Sequence, residues 1–179
     1  MSGLLWTFFL FLVVQRLCEL VIARRNEKWM KERGGLERGE EHYKYFVFLH
    51  LLFFLSILTE VFLLKGIVIP FQPAFFIVFL LAQIARIWCI QSLGKFWNTK
   101  VIVLPDFPLV KRGPYRYIKH PNYIIVGIEL FVIPLLFGAI ITSVIFPFLH
   151  IVLIKYIRLP VEERALEEVM TNNRKEDSD

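Results

Sequence analysis

Five long apolar runs constrain this chain more than any other feature of its sequence. A bilayer core of about 30 Å requires about 20 helical residues, at about 1.5 Å per residue. The hydrophobic content of the chain is higher than that of soluble proteins, since 56% of its residues are hydrophobic and its mean hydropathy is +0.57. We therefore predict an all-α polytopic membrane protein with about five transmembrane helices, near residues 3–23, 44–64, 69–91, 122–138 and 140–157.

The last two runs come from one apolar stretch, residues 122–157, that has to fold back on itself. As a single straight helix it would be about 55 Å long, nearly twice the thickness of the hydrocarbon core. The sequence places the turn around Phe137, Gly138 and Ala139. One tilted helix that is kinked at Pro134 remains the alternative.

The basic residues predict the orientation, because Lys and Arg in short loops favour the cytoplasmic side. The turn after the second span has only Lys65, whereas residues 24–43 and 92–121 are rich in positive charge. We expect these two loops inside, the N-terminus outside and the first apolar run retained as a helix. The basic residues of the two loops are Arg24, Arg25, Lys28, Lys31, Arg33, Arg38, Lys95, Lys100, Lys111, Arg112, Arg116 and Lys119.

Composition also limits the classes of function. The apolar runs leave no room for a separate soluble domain, so we expect one membrane domain over residues 1–179. The net charge of +5 suits loops beside anionic headgroups, and no nucleic-acid partner is expected. Cys18 and Cys89 fall within apolar helices and the four His are scattered, so neither a disulfide framework nor a metal site is expected.

Glycine and proline mark the segments between the spans. Gly34 and Gly35 break the first loop, and the prolines of VIVLPDFPLV, residues 101–110, predict an extended segment rather than a helix. Pro160 suits the first position of a short cytoplasmic helix that runs to about Met170. A disordered charged end is expected after it.

The segment RGPYRYIKHPNY, residues 112–123, is a basic and aromatic loop between apolar runs. Gly113-Pro114 predicts a turn and His120-Pro121 predicts the start of a helix. Backbone N–H groups at that helix start can bind a carboxylate, and tyrosine rings can cover an apolar ligand group. The alternative is an interfacial loop with an aromatic belt and basic anchors. Between the turn and the helix lie Tyr115, Arg116, Tyr117 and Lys119.

The tail begins RLPVEERALEEV and carries a pair of acidic residues, Glu162 and Glu163. This pair could hold a ribose, because a carboxylate accepts two hydroxyl hydrogen bonds well. The alternative is stabilisation at the positive end of a helix dipole. Arg158 precedes Glu162 by four residues and would share its helical face if the last span continued through Pro160.

Charged residues also occur inside the predicted spans. A charge is energetically unfavourable there, so such residues usually face the bundle interior or a water-filled cavity. We expect some of them to find partners. Gln83, Arg86 and Ile90 share one stripe of the third span, and Arg86 either forms a structural ion pair, snorkels to the surface or binds substrate. We expect His42 and His50 to be interfacial or packed. The charged residues in question are Arg16, Glu19, Glu60, Arg86 and Glu129.

The C-terminal half resembles the isoprenylcysteine carboxyl methyltransferase family, and especially its small bacterial branch. The resemblance runs from QIARIWCIQSLGKFWNTKVIVLPDFPLVKRGPYRYIKHPNY to RLPVEERAL, and RRNEKWMKERGG with EHYKYFVFLH is also similar to that branch. The combination of GPYRY, HPNY and the later EE pair is its specific part. Lys119 stands where many relatives have Arg, which keeps the charge and loses the planar guanidinium.

This resemblance implies S-adenosylmethionine as methyl donor, bound on the cytoplasmic side by a catalytic half near residues 83–171, with S-adenosylhomocysteine as product. His120 and Tyr115 would hold its methionine part, and Glu162 or Glu163 its ribose. Arg158 is similar in place to an arginine that the family uses near methyl transfer, and Arg86 is the second catalytic candidate. The implied cofactor-binding residues are Gly113, Pro114, Tyr115, Arg116, Tyr117, His120, Pro121, Asn122, Tyr123, Glu162 and Glu163.

The acceptor is expected to be lipophilic with an acidic oxygen, because an oxygen ionised near pH 7 needs no strong general base. The preferred acceptor is the enol hydroxyl of an alkylpyrone, supplied by a polyketide-type synthase, and a prenylcysteine-like carboxylate is the second. Arg86 or Arg158 would steady the anionic head. Two alternatives stay open: N-methylation of a phospholipid amine, with Glu129 or Glu163 taking the proton, and a non-catalytic membrane transporter or scaffold that binds lipid.

Overall fold

The computed structural model describes residues 3–63, 72–105, 107 and 110–176, and its account of side chains ends at residue 168. Within these residues the chain is almost entirely helical. A 3-10 turn follows the third helix at Gly94–Phe96, another occupies Gly113–Arg116, and a π turn occupies Ile154–Arg158. The longer elements are α1 Gly3–Lys31, β1 Leu36–Arg38, α2 Glu40–Phe62, α3 Pro73–Leu93, β2 Val101–Val103, α4 Pro121–Leu136, α5 Ile140–Leu153 and α6 Leu159–Glu176.

Four helices are long and apolar enough to cross a membrane, and α4 is a shorter apolar helix. The prediction of an all-α polytopic membrane protein is therefore confirmed. At about 1.5 Å per residue, α4 spans about 24 Å, which is less than the hydrocarbon core. The four long helical segments are Gly3–Lys31, Glu40–Phe62, Pro73–Phe96 and Ile140–Glu168.

Two helices run further than the sequence predicted. α1 continues from the predicted end at residue 23 to Lys31, because Arg, Glu and Lys are good helix formers and no glycine follows Gly3 until Gly34. α6 continues past Met170 to Glu176, so the expected disorder does not begin at residue 171. Three predicted features lie outside the described residues, namely Lys65, the start of the third span at residue 69 and the tail residues 177–179.

α4 and α5 form a helical hairpin, which confirms the predicted turn at residues 137–139. α4 ends at Leu136, and Gly138 adopts a left-handed conformation with φ of 77°. The N–H of Ala139 donates to the carbonyl of Pro134 at 2.9 Å, which satisfies one of the last carbonyls of α4. The alternative of one helix kinked at Pro134 is therefore wrong.

α5 and α6 are joined without a break through the π turn Ile154–Arg158. The predicted helix start at Pro160 lies within one residue of the start of α6 at Leu159, but the helix is not separate, because helical structure already precedes it. Proline lacks the N–H of an ordinary helical residue, and the π turn, with its wider hydrogen-bond spacing, lies immediately before it. A continuous helix places Arg158 and Glu162, four residues apart, on the same face.

Backbone contacts divide the chain into two compact units. The first unit contains residues 1–44, 93–109 and 155–179, and the second contains residues 45–92 and 110–154. The expected single membrane domain over the whole chain stays a prediction.

In the first unit, β1 and β2 form a two-stranded antiparallel sheet in which Leu36 lies opposite Val103. The predicted extended segment is confirmed for residues 101–103, whereas its partner strand was not predicted. Gly39 has φ of 68°, and a Cβ there would lie 2.7 Å from the Val161 side chain of α6. The sheet and α6 are thus packed in close contact.

An ionic cluster fixes the end of α1 to both strands. Lys100, just before β2, lies 2.8 Å from Glu27 of α1 and 3.0 Å from Glu37 of β1. Lys31 contacts the same two carboxylates at 2.8 and 2.5 Å. Burial lowers the pKa of Lys100, but its hydrogen bonds to the two carboxylates outweigh burial and raise the pKa above its usual value. Lys100 therefore stays charged throughout the neutral range.

In the second unit, Glu60 of α2 caps the N-terminus of α5. Its two carboxylate oxygens accept hydrogen bonds from the backbone N–H groups of Ile141 and Thr142, both at 2.8 Å. The hydroxyl of Thr142 adds a third at 2.7 Å, and the Ser56 hydroxyl contacts the Thr142 hydroxyl at 2.8 Å. Since Ala139 at the N-cap position has no polar side chain, this buried carboxylate replaces a local cap. The expectation that intramembrane charges find partners is confirmed here.

We predict that removing the Glu60 carboxylate destabilises the helical hairpin. Glu60→Ala leaves two buried N–H groups without an acceptor, at about 1–3 kcal/mol each, and should lower the thermal unfolding midpoint in detergent. Glu60→Gln keeps one good acceptor and should have a smaller effect. Glu41→Gln, at an exposed position near the start of α2, is the matched control. Equal midpoints for Glu60→Ala and the wild type would contradict the capping role.

Candidate active site

The loop that begins at Arg112 is held against the end of α3. Arg112 Nε donates to the backbone carbonyl of Ser92 at 2.6 Å. Gly113 follows with φ of 57°, and a Cβ there would lie 2.0 Å from Ser92 Oγ and 3.1 Å from Trp88 Nε1. Both the backbone conformation and the close approach require glycine at this position. The 3-10 turn begins at Gly113 and includes Pro114, which confirms the turn predicted at Gly113-Pro114.

The side chains of this turn point to different environments. Tyr115 is half-buried and packs against Ala82, Cys89 and Ile125, which belong to α3 and α4. Tyr117, by contrast, is 78% exposed. Tyr115 is therefore the tyrosine of this loop that lies against the core of the second unit. Arg116 and Lys119 are exposed as well.

The first turn of α4 presents an aromatic stack and a buried acceptor. His120 occupies the N-cap position, and Pro121 is the first residue of the helix, which confirms the predicted helix start. The rings of His120 and Tyr123 are stacked, with centroids 5.1 Å apart and planes 8° apart. Asn122 Oδ1 is buried and has no hydrogen-bond partner among the described residues. This group of residues offers a flat aromatic face and one acceptor for a ligand donor.

A buried ion pair joins α3 and α4. Arg86 and Glu129 are 2% and 1% exposed, and Arg86 Nε donates to Glu129 Oε1 at 2.8 Å while Nη2 donates to Oε2. Gln83 Nε2 donates to the same Oε1 at 2.8 Å. The predicted stripe of Gln83 and Arg86 is confirmed, whereas Glu129 was not predicted as their partner. Arg16 and Glu19 pair in the same way within α1, at 2.9 Å.

His150 of α5 was not among the candidate site residues predicted from the sequence. It is 4% exposed, and its Nε2 lies 3.0 Å from the carbonyl oxygen of Tyr123 in α4. A Cβ at Gly127 would lie 3.7 Å from the Cδ2 atom of the imidazole, so the ring is packed against α4. His150 is the one ionisable side chain in IITSVIFPFLHIVL. An ionisable residue inside an apolar span was the signal that identified the other intramembrane charges, and it applies here equally.

The three tail candidates lie in the first unit, whereas residues 113–123 and Arg86 lie in the second. Arg158 ends the π turn, Glu162 lies in the first turn of α6, and Glu163 follows it. Glu162 is half-buried and Glu163 is exposed. A common role of the two sets in one site stays a prediction. In the described part of the chain, no group of three His, Cys, Asp or Glu side chains could hold a metal ion.

Similarity to known proteins identifies the family of this chain. The family model described as the isoprenylcysteine carboxyl methyltransferase (ICMT) family matches residues 74–168. A Bacillus subtilis protein with the name "Uncharacterized protein YpbQ" is 42% identical over 163 residues, which cover 91% of this chain and 96% of that protein. A Haemophilus influenzae protein, named only "Uncharacterized protein", is 23% identical over 123 residues, which cover 65% and 71%. No solved structure matches at a significant level. The chain belongs to the isoprenylcysteine carboxyl methyltransferase family and is a membrane-embedded methyltransferase.

Proposed function

We propose that this chain is an S-adenosylmethionine-dependent O-methyltransferase that acts on a lipophilic acceptor in the membrane. The preferred acceptor is the acidic enol hydroxyl of an alkylpyrone, and a prenylcysteine-like carboxylate is the second. Family membership supports the methyl transfer and the membrane setting. One observation favours oxygen over nitrogen as the methylated atom, namely the occupied carboxylate of Glu129.

Glu129 is unsuited to take a proton from an amine. Both of its oxygens accept hydrogen bonds from Arg86, and Oε1 also accepts one from Gln83. Protonating this carboxylate would leave the buried Arg86 charge without its counterion, which is strongly unfavourable. An ammonium group is a much weaker acid than an enol or a carboxylic acid, so its deprotonation needs a stronger base. The buried pair removes Glu129 from that role, and this favours O-methylation.

The residues at the start of α4 fit the proposed methyl donor. The α-ammonium group of S-adenosylmethionine is a donor that needs acceptors, and Asn122 Oδ1 is a buried acceptor without a partner among the described residues. His120 and Tyr115 would hold the methionine part, and the stack of His120 on Tyr123 would form one wall. Glu162 or Glu163 would accept hydrogen bonds from the ribose. Gly113, Pro114, Arg116, Tyr117 and Pro121 would shape the rest of the pocket.

When bound, S-adenosylmethionine supplies a methyl group on a positively charged sulfur. The protein then has to hold the acceptor oxygen in line with that methyl group and to keep water out. Arg158 would steady the anionic head of the acceptor, and Arg86, held by its pair with Glu129, is the second residue proposed for catalysis. We propose the cytoplasmic side for this site, with the N-terminus outside, because Lys and Arg in short loops such as the two basic ones favour that side. The acceptor would enter from the bilayer, supplied by a polyketide-type synthase.

We predict saturable binding of S-adenosylmethionine to the purified protein in detergent, measured by calorimetry. His120→Ala and Asn122→Leu should each weaken binding about 5- to 30-fold, since each loses a contact of about 1–2 kcal/mol. His42→Ala removes a histidine outside the proposed site and should bind normally. Comparing Glu162→Gln with Glu163→Gln identifies the ribose ligand. Normal binding by His120→Ala and Asn122→Leu together would contradict the proposed pocket.

We predict that Gly113→Ala impairs the same binding by displacing the loop from α3. The new Cβ would overlap Ser92 Oγ and would hold a non-glycine residue at positive φ, which is unfavourable by about 1–2 kcal/mol. Adding Ser92→Gly removes the overlap and leaves the backbone strain, so the double variant should recover part of the affinity. Unchanged affinity for Gly113→Ala would show that the close approach of loop and helix is unimportant for binding.

We predict that membranes containing this protein transfer labelled methyl groups to an alkylpyrone and form its methyl ether. Three acceptors are compared at equal concentration: an alkylpyrone, a prenylcysteine analogue and phosphatidylethanolamine. Membranes without the protein are the control. Methylation of the prenylcysteine analogue alone would overturn the preferred acceptor, and methylation of phosphatidylethanolamine alone would overturn O-methylation itself.

A further inference from the structure

The imidazole of His150 has one nitrogen whose role is fixed by its contact and one that has none. Nε2 lies 3.0 Å from the carbonyl oxygen of Tyr123. A carbonyl only accepts hydrogen bonds, so Nε2 must carry the proton, and in neutral histidine Nδ1 is then an unprotonated acceptor. Nδ1 is buried and has no hydrogen-bond partner among the described residues.

The packing of the ring leaves this nitrogen on the side away from its α4 contacts. Cδ2 faces Gly127 and the neighbouring Nε2 faces Tyr123, and both residues belong to α4. Nδ1 lies on the opposite edge of the imidazole, because Nδ1 and Cδ2 flank the same ring carbon. Leaving a buried acceptor without a donor is unfavourable by about 1–3 kcal/mol, so the native fold keeps this nitrogen at a cost in stability. A hydrogen-bond donor of a bound ligand would remove this unfavourable free energy.

Several features connect His150 with the proposed active site, all within the second unit. Tyr123, which orients the imidazole through its carbonyl, stacks its ring on His120. The imidazole also packs against Gly127, on the helix that carries Glu129, the partner of Arg86. Glu129 is occupied by Arg86, whereas the lone pair of His150 Nδ1 has no hydrogen-bond partner in the described part of the chain.

We propose that His150 Nδ1 is the general base that accepts the proton of the methyl acceptor's hydroxyl group. This inference rests on the proposed O-methyltransferase function. A lipophilic acid enters a bilayer in its neutral form, because transfer of the anion into a low-dielectric medium is far more costly. The acceptor therefore arrives with its proton, even when it is ionised in water. A buried base at the reaction site removes that proton where the oxygen reacts.

The step balances in atoms and electrons. The O–H bond of the acceptor breaks, and the proton forms a bond to Nδ1. A lone pair of the oxygen forms the new bond to the methyl carbon. The electron pair of the methyl–sulfur bond passes to sulfur, which becomes a neutral thioether. The imidazolium of His150 returns its proton to water after the product leaves.

The test removes the basic nitrogen of His150 and keeps its hydrogen bond to the Tyr123 carbonyl. His150→Gln can still donate from its amide to the Tyr123 carbonyl, but it has no basic nitrogen. Methylation of the alkylpyrone, or of whichever acceptor the wild type methylates, should fall about 100-fold at pH 7. The loss should shrink as the pH rises to 9, because hydroxide then takes over removal of the proton from the bound acceptor. Gly127→Ala, which touches the other edge of the ring at an ordinary contact distance, is the matched control and should keep its activity.

Binding of S-adenosylmethionine separates a chemical role from a structural one. His150→Gln should bind it within about twofold of the wild type, and His150→Asn, which also lacks a base, serves if the first variant does not fold. Wild-type rates for a variant that binds normally would overturn the proposal and leave the proposed function standing. A loss that is the same at every pH would also overturn it, since it would indicate a positioning role. Absence of methylation by the wild type would overturn the proposed function and this inference together.

Discussion

The central constraint on this structure is that a polar group inside a membrane needs a partner within the chain. The pair of Arg86 and Glu129 shows it most clearly, because both side chains are almost fully buried and each oxygen of the carboxylate is occupied. Gln83 of α3 also donates to Glu129 of α4, so the three side chains together fix the register of the two helices. Tyr115 packs against the same two helices, so the loop is aligned with the ion pair.

The same constraint determines where helices begin and end in the second unit. α5 starts after a left-handed glycine and has no polar residue at its N-cap, so Glu60 of α2 supplies the missing acceptors. In the loop, Gly113 is in contact with Ser92, and no larger residue could lie so close. Caps and close contacts of this kind order segments whose conformation is not determined by the burial of apolar side chains.

Hydropathy and turn residues in the sequence were sufficient for the architecture. The apolar runs predicted the helices, and Phe137 to Ala139 predicted the hairpin, because a membrane sets a narrow range of helix lengths. The pairing of β1 with β2 could not be predicted, since strands of three residues carry no periodic signal. The continuity of α6 was also missed, because a proline usually marks a helix start and the π turn before Pro160 has no sequence signature. For the site, the motif residues were identified, but partners such as Glu129 and His150 depend on three-dimensional contacts.

The short length of α4 has a consequence for the surrounding lipid. A span of about 24 Å is shorter than the hydrocarbon layer, and lipids accommodate such a mismatch by local thinning of the bilayer. Thinning beside α4 brings the headgroup region nearer to Tyr123, at the helix start. A molecule with a polar head and a long tail would then reach that end of the helix with its tail still in hydrocarbon. The acyl-chain length of the host membrane therefore affects how easily such a molecule reaches the start of α4.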